Sequence, residues 1–512
     1  MGDIFSENNK RIAKNTFFLY IRMLLIMIVG LFTTRIILST LGVEDYGIYV
    51  IVGGTVALFS FLNATLSTAT ARFITFELGT GDLGKLKKTF SGALTVHIFL
   101  ALIFCILAET VGLWILENKL MISEGRMEAT HIVYQLSIIT AIIGIIQVPY
   151  NASIIAHERM NVYAYFSIIE VLLKLGVAYS LMVSNFDKLI TYALLNFIIV
   201  ILIASLYKYY ATKKFIECKF GLCYEKKIIV PMLSFSGWDL YGNMSIIART
   251  QGVNIMQNIF FGTLINAAGG IATQVQNATA QFAENFLTAI RPQIVKNYAK
   301  GNIIEVQNLV INTSKFSFLL LFFISFPLIL ENKFILNLWL ENVPDYAVAF
   351  CKLVLINNLV SIIFRPGTYL IHATGRIKRM SFFNGTVLFM ILPFSYFFLK
   401  IGFPPTISYV INIILLIICC IYGFFILKSY IPEYSICMFV KKSLIIILFI
   451  LFVSTPIPII LYLVLFEGWI RFLSIGFSFI LCLAFSIFFI GIDRQMRRKI
   501  ICLVKDKISK QK

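Results

Sequence analysis

The sequence predicts an all-α polytopic membrane protein of about 14 transmembrane helices, built as two pseudo-symmetric six-helix lobes plus two C-terminal helices. Three observations predict it. The 512 residues are 59% hydrophobic and only 13% charged, with a mean hydropathy of +0.88, where soluble domains carry roughly a quarter charged residues. Apolar runs of about 20 residues, enough to cross a bilayer, recur along the whole chain. Segments of the first half return in the second at matched spacing. The composition alone excludes a soluble enzyme.

In chain order, the apolar runs 16–38, 47–66, 90–116, 131–155, 163–183 and 189–210 form an N-terminal lobe, residues 1–212. A basic cytoplasmic linker, 213–232, follows. Runs 233–261, 267–290, 310–330, 348–371, 382–399 and 406–427 form a C-terminal lobe, 233–428, and 443–466 and 470–492 are the two added helices of segment 429–492. A basic tail, 493–512, closes the chain. The polar N-terminal stretch carries Lys10, Arg11 and Lys14 and leads into a run too long for a cleaved signal, so it reads as a retained first helix.

Charge sets the orientation. The net charge of +19 concentrates in loops holding Arg72/Lys85/Lys87/Lys88, Lys213/Lys214/Lys226/Lys227, Arg291/Lys296/Lys300, Arg376/Lys378/Arg379 and Lys441/Lys442. The positive-inside rule puts these loops and both termini in the cytoplasm. It also accounts for the basic charge without nucleic acid. The nine cysteines are scattered, mostly within apolar runs, as small hydrophobes rather than a disulfide framework.

The internal repeat is the most informative pattern. Leu41-Gly42 followed by Gly81-Asp82 returns as Phe261-Gly262 followed by Gly301-Asn302, and Pro149 ten residues before Arg159 is mirrored by Pro366 ten residues before Arg376. Repeats of this kind place substrate at the lobe interface, with alternating access by rocking of the lobes.

Charges inside spans are costly and each needs a partner or a watery cavity. The cations are Arg22 and Arg35 (helix 1), Lys174 (helix 5), Arg249 (helix 7), Lys315 (helix 9) and Arg365 (helix 10); the acids are Glu109, Glu170, Asp239 and Glu284. Glu170 and Lys174, four apart, either neutralise each other or serve a site. Arg365 directly precedes Pro366, where a helix break exposes carbonyls. An excess of cations points to an anionic ligand, since a guanidinium matches phosphate oxygens in a bidentate fork. In helix 8, Gln274, Asn277, Gln281, Glu284 and Thr288 form a polar stripe that suits a hydrated cavity, with interhelical hydrogen bonds as the alternative. Helix 2 carries a milder stripe through Ser60, Asn63, Ser67 and Thr70.

Two signals are rejected. Gly79 to Lys85 spells a phosphate-loop pattern, but Leu86 stands where Ser/Thr is required and no strand precedes it. The four histidines share no metal-ligand spacing.

Lys10-Arg11-Ile12-Ala13-Lys14-Asn15-Thr16, Thr34-Arg35, Leu41-Gly42-Val43-Glu44-Asp45-Tyr46-Gly47-Ile48-Tyr49 and Thr70-Ala71-Arg72-Phe73 together resemble bacterial polysaccharide-biosynthesis flippases. These O-antigen and capsule transporters belong to the multidrug/oligosaccharidyl-lipid/polysaccharide (MOP) exporter superfamily, and the likeness covers nearly the whole chain. The resemblance implies two lobes around a cationic central cavity. It implies movement of an undecaprenyl-diphosphate-linked oligosaccharide to the outer leaflet of the bacterial cytoplasmic membrane, alongside polymerase and chain-length machinery, with no catalytic residue, metal or cofactor. Arg35 sits similarly to a cavity arginine of the related lipid II flippases, with Arg22 the alternative counterpart. On this reading Arg35, Arg249, Lys315, Arg365, Arg22 and Lys174 attract the diphosphate, and Asn63, Gln274, Asn277, Gln281 and Asn285 line the cavity. Asp239 and Glu284 are the candidates for coupling to a proton or sodium gradient. A multidrug cation antiporter of the same fold is the first rival, and a membrane glycan polymerase or ligase the second.

Overall fold

The computed structural model describes residues 2–57, 81–157, 159–235, 244–299 and 301–492, with isolated positions at 70, 73–74, 77–78, 241 and 497. Its helices are α1 (Gly2–Ala57), α2 (Leu83–Asn118), α3 (Met127–Ala156), α4 (Met160–Val183), α5 (Lys188–Lys214), α6 (Lys226–Phe235), α7 (Val253–Phe261), α8 (Thr263–Ala299) and α9 (Ile303–Leu330). They continue with α10 (Asn332–Trp339), α11 (Ala347–Ala373), α12 (Lys378–Lys400), α13 (Ile407–Tyr430), α14 (Ile436–Val464) and α15 (Trp469–Gly491). Eleven helices among the described residues are long and apolar enough to cross a membrane, and the chain is a multi-pass membrane protein.

The other three predicted spans differ for definable reasons. The second, 47–66, leaves the described residues after Ala57, and the seventh is described only in part. The eighth is present as α8, continuous over Thr263–Ala299, but its polar residues keep it outside the apolar set.

The sequence repeat is a repeat of backbone conformation. Gly42 (φ 78°, ψ 171°) breaks α1, and Gly262 (φ 78°, ψ −172°) separates α7 from α8. Gly81 and Gly301, at φ 75° and 76°, each stand directly before a helix cap. These positive φ values suit glycine. At the first cap, Asp82 accepts from the Lys85 N–H at 3.0 Å, so α2 starts seven residues before the predicted 90 and carries its polar first turns out of the apolar run. Pro149 and Pro366 each lie seven residues before the end of their helices, α3 and α11.

The chain divides into two compact units: Met1–Ile271 with Leu340–Tyr346 and Ser381–Ser408, and Ala272–Trp339 with Ala347–Met380 and Tyr409–Lys512. In the first, α1 packs on α4 and α3, and α3 on α5 and α2. Glycines permit a close crossing there: a Cβ on Gly47 would lie 2.1 Å from the Thr263 carbonyl oxygen, and one on Gly270 would lie 2.8 Å from Val50. At one end Arg126 ties two loops to α1, donating to Asp45, just past the Gly42 break, at 2.8 and 2.5 Å and to Asp187 at 2.5 Å. At the other, His157 pairs with Glu217 and Lys88 with Glu225, both at 2.6 Å. Alternating spans predict both groupings, since the loops of each share one membrane face.

In the second unit α9 packs on α11 and α15, and α14 on α15. Its core includes Phe364, Tyr434 and Phe439 at one level and Phe318, Phe322 and Phe479 at another. Glu331, at the end of α9, receives a two-pronged bond from Arg471 of α15 at 2.6 and 2.8 Å. The arginine also stacks over the Tyr462 ring. This joint fastens the last helix pair to the unit.

Candidate functional site

The second unit holds a polar surface built by α8 and α11. At about 100° per residue, Gln274, Asn277, Gln281 and Glu284 fall within an arc of about 80° on α8. Asn277 is exposed and the other three are half-buried. A stripe of amides and a carboxylate is expensive against lipid, so this face belongs toward water. From α11, Arg365 reaches across and forms an ion pair with Glu284, with 45% and 36% of the two side chains exposed. The Oε1 of Gln281, one turn from Glu284, is enclosed and meets no hydrogen-bond partner among the described residues.

Two features shape the turn of α11 that carries Arg365. Pro366 follows it within α11, so the ring removes a backbone N–H at this level. Its other neighbour, Phe364, is wedged between two glycines: a Cβ on Gly367 would lie 2.6 Å from the ring and one on Gly423 of α13 only 2.2 Å away. The ring therefore fixes the turn from which the guanidinium projects.

Interhelical hydrogen bonds occupy the roughly opposite face of α8. Asn358 of α11 donates to the Gln276 carbonyl oxygen at 3.0 Å and to the Thr279 hydroxyl at 3.1 Å, and accepts from the Gln276 amide at 3.3 Å. Asn412 of α13 extends the seam by donating to Asn357 at 3.1 Å. Sequence reasoning missed this amide seam. Its signal was the Asn357-Asn358 doublet in an apolar run, together with Gln276 and Thr279 one turn apart.

The remaining candidates are distributed as follows. Lys174 pairs with Glu170 at 2.5 Å, the neutralised alternative of the two. Lys315 is only 4% exposed, with its ammonium 5.0 Å from the Phe316 ring centre. Arg35 is half-buried on α1, seven residues before the Gly42 break, and makes no ion pair among the described residues. Arg249 is half-buried in a widened turn, Ala248–Gly252, that feeds α7; such i→i+5 turns often accompany functional sites. Asn63 and Asp239 lie outside the described residues, as do the side chains of Arg22 and Asn285.

Each unit also holds a cavity. One of about 410 Å³ in the first unit is walled by Tyr49, Phe104, Ser137, Thr140 and Asn196 among others, with no charged residue in its lining. One of about 470 Å³ in the second unit is an apolar groove between α8, α9 and α15, including Phe286, Phe316, Phe323, Ile480 and Leu483.

No protein-family model matches the chain, and no curated protein matches it. Solved structures do. The lipid II flippase MurJ in an inward closed conformation superposes with a TM-score of 0.62 at 14% identity, over 91% of this chain and 97% of that one. An inward-facing multidrug resistance MATE family transporter of the MOP superfamily gives a TM-score of 0.61 at 13% identity, over 80% and 96%. A MOP superfamily transporter from Pyrococcus furiosus, described as having a binding pocket of reversed polarity, gives 0.58 at 16%, over 82% and 96%. These neighbours are transporters and a flippase, not enzymes. Across nearly the full length of each, this chain has the fold of the MOP superfamily transporters.

Proposed function

We propose that this protein moves an undecaprenyl-diphosphate-linked oligosaccharide from the inner to the outer leaflet of the bacterial cytoplasmic membrane, by alternating access, for O-antigen or capsule synthesis. The observation that carries the reading is the half-exposed surface of α8 with Arg365 projecting onto it, within a fold shared with a lipid II flippase. Each part of such a substrate has a chemical counterpart in this chain. Amides at Gln274, Asn277 and Gln281 suit the hydroxyls of a glycan, and Asn285 and Asn63 extend the same chemistry. A guanidinium at Arg365, Arg35 or Arg249 suits a diphosphate; Arg22, Lys174 and Lys315 are further cations of the same set. The apolar groove of α8, α9 and α15 suits a polyprenyl tail.

Coupling to a proton or sodium gradient is assigned to Glu284 and Asp239, and both termini to the cytoplasm. Polymerase and chain-length machinery are the expected partners. The rival multidrug cation antiporter is favoured by the MATE neighbours. A cationic drug favours an acidic cavity, however, and the set of charges within the spans is net basic.

Arg35→Ala and Arg249→Ala test the reading. Each should lower surface-glycan export at matched membrane abundance, and wild-type export by both would contradict a cationic substrate path. Resistance to lipophilic cations on overexpression, with unchanged glycan, would favour the antiporter.

A further inference from the structure

We infer that the Arg365–Glu284 ion pair is an exchangeable one: the anionic phosphate of the substrate takes the place of Glu284 on Arg365, and the displaced Glu284 takes up a proton. The inference rests on the proposed anionic substrate and adds to it the device that links substrate capture to proton uptake.

Three observations carry it. First, the pair joins two helices and is half-exposed, with 45% of the arginine side chain and 36% of the glutamate side chain exposed. A buried pair is costly to break because it strands a charge, whereas a half-exposed pair leaves both groups accessible to solvent and to a competing anion. Phosphate and carboxylate present the same bidentate oxygen edge to a guanidinium, so the exchange keeps Arg365 satisfied. Second, Arg365 is anchored by its own turn, with Phe364 lodged against Gly367 and Gly423. The movement is therefore assigned to the glutamate. Third, the Gln281 Oε1 lies on the same α8 face, enclosed and without a hydrogen-bond partner among the described residues. A carboxylate cannot donate to it, but a protonated Glu284 can. The vacant acceptor thus fits the displaced, neutral state of the glutamate and is useless to the paired one.

The charged surroundings agree. Arg365 of α11 is a cation in ion-pair contact with Glu284, and Lys315 of α9 in the same unit, 4% exposed with its ammonium near the Phe316 ring, adds positive charge to that unit. Once a diphosphate, with a negative charge on each phosphate, occupies Arg365, a carboxylate charge left beside it is repelled and a neutral acid is not. The proton comes from water on the open side and is returned when phosphate leaves and Glu284 re-pairs.

The experiment is calorimetric titration of the purified full-length protein in detergent with farnesyl diphosphate and, separately, inorganic pyrophosphate. Buffers of different ionisation enthalpy report the protons taken up per ligand bound. We expect wild type to bind farnesyl diphosphate with proton uptake beyond the ligand's own. Glu284→Gln should bind about tenfold tighter, because no carboxylate competes for Arg365, and should lose the extra uptake. Gln281→Leu should reduce the uptake with little change in affinity at high pH, and Arg365→Gln should bind at least tenfold more weakly. Equal affinity and equal proton count for Glu284→Gln and wild type overturn the exchange while leaving the anionic substrate standing. Failure of the wild type to bind either diphosphate overturns both. Binding of pyrophosphate as tight as farnesyl diphosphate identifies a free phosphate ligand rather than a lipid and keeps the exchange.

Discussion

A Cβ placed on Gly423 would lie 2.2 Å from the Phe364 ring, so α13 holds the residue next to Arg365 through a contact that no other amino acid permits. Gly423→Ala should force the ring and its turn of α11 to shift, with a cost of about 1–3 kcal/mol in stability. The shift should also weaken diphosphate binding by moving Arg365. Thermal unfolding with calorimetry measures both, and Phe364→Leu in the same chain should restore part of each.

Arg126 is a clamp with a definite acid response. Burial pushes the Asp187 carboxyl up, but hydrogen bonds from Arg126 and the Ile190 N–H, with the arginine's charge, outweigh it and hold it below its ordinary value. Its contribution is therefore present above the unfolded value near about 3.9 and is lost as pH falls through the lower folded one. Asp187→Asn should flatten the melting temperature between about pH 5 and pH 2. Arg126→Gln should cost about 1–2 kcal/mol at neutral pH, less than in a fully buried case because 27% of the arginine is exposed.

The joint between α9 and α15 should be less forgiving. The Glu331 side chain is 0% exposed, so Arg471→Ala strands a buried carboxylate at a cost of about 3–5 kcal/mol. Arg471→Lys should recover little, since an ammonium cannot span both carboxylate oxygens. Limited proteolysis of the α14–α15 segment would report the loosening, and full protection in Arg471→Ala would contradict it.

Gly47 and Gly42 should separate close packing from backbone conformation. Gly47→Ala collides with the Thr263 carbonyl oxygen at 2.1 Å and should abolish folded protein in membranes. Gly42→Ala meets nothing within 4 Å but sits at φ 78°, ψ 171°, a backbone region essentially reserved to glycine, and should lose about 1–3 kcal/mol. Fluorescence-detected size exclusion of tagged variants orders the two.

Local features of the sequence made most of the fold legible. Apolar length gives the spans, and the Gly42/Gly262 and Gly81/Gly301 pairs give the repeat, because bilayer thickness and positive φ act on residues one at a time. The helix starts were less legible. Asp82, by capping, and Asn302, by position, begin turns that leave the apolar run, so hydropathy places α2 and α9 too late. At the site, the α8 stripe could be read from periodicity. The partner of Glu284 could not, since Arg365 stands 81 residues away and only the packing of α8 on α11 decides that they meet. For the same reason the amide seam of Gln276, Thr279 and Asn358 was missed although each residue was visible.

The measurement that bears most directly on function is leaflet-resolved quantification of lipid-linked oligosaccharide, with surface glycan, in a strain lacking this gene. If the protein is the flippase, finished oligosaccharide accumulates on the inner leaflet and surface polymer is lost. Finished oligosaccharide on the outer leaflet, or an unchanged surface glycan, would contradict that role.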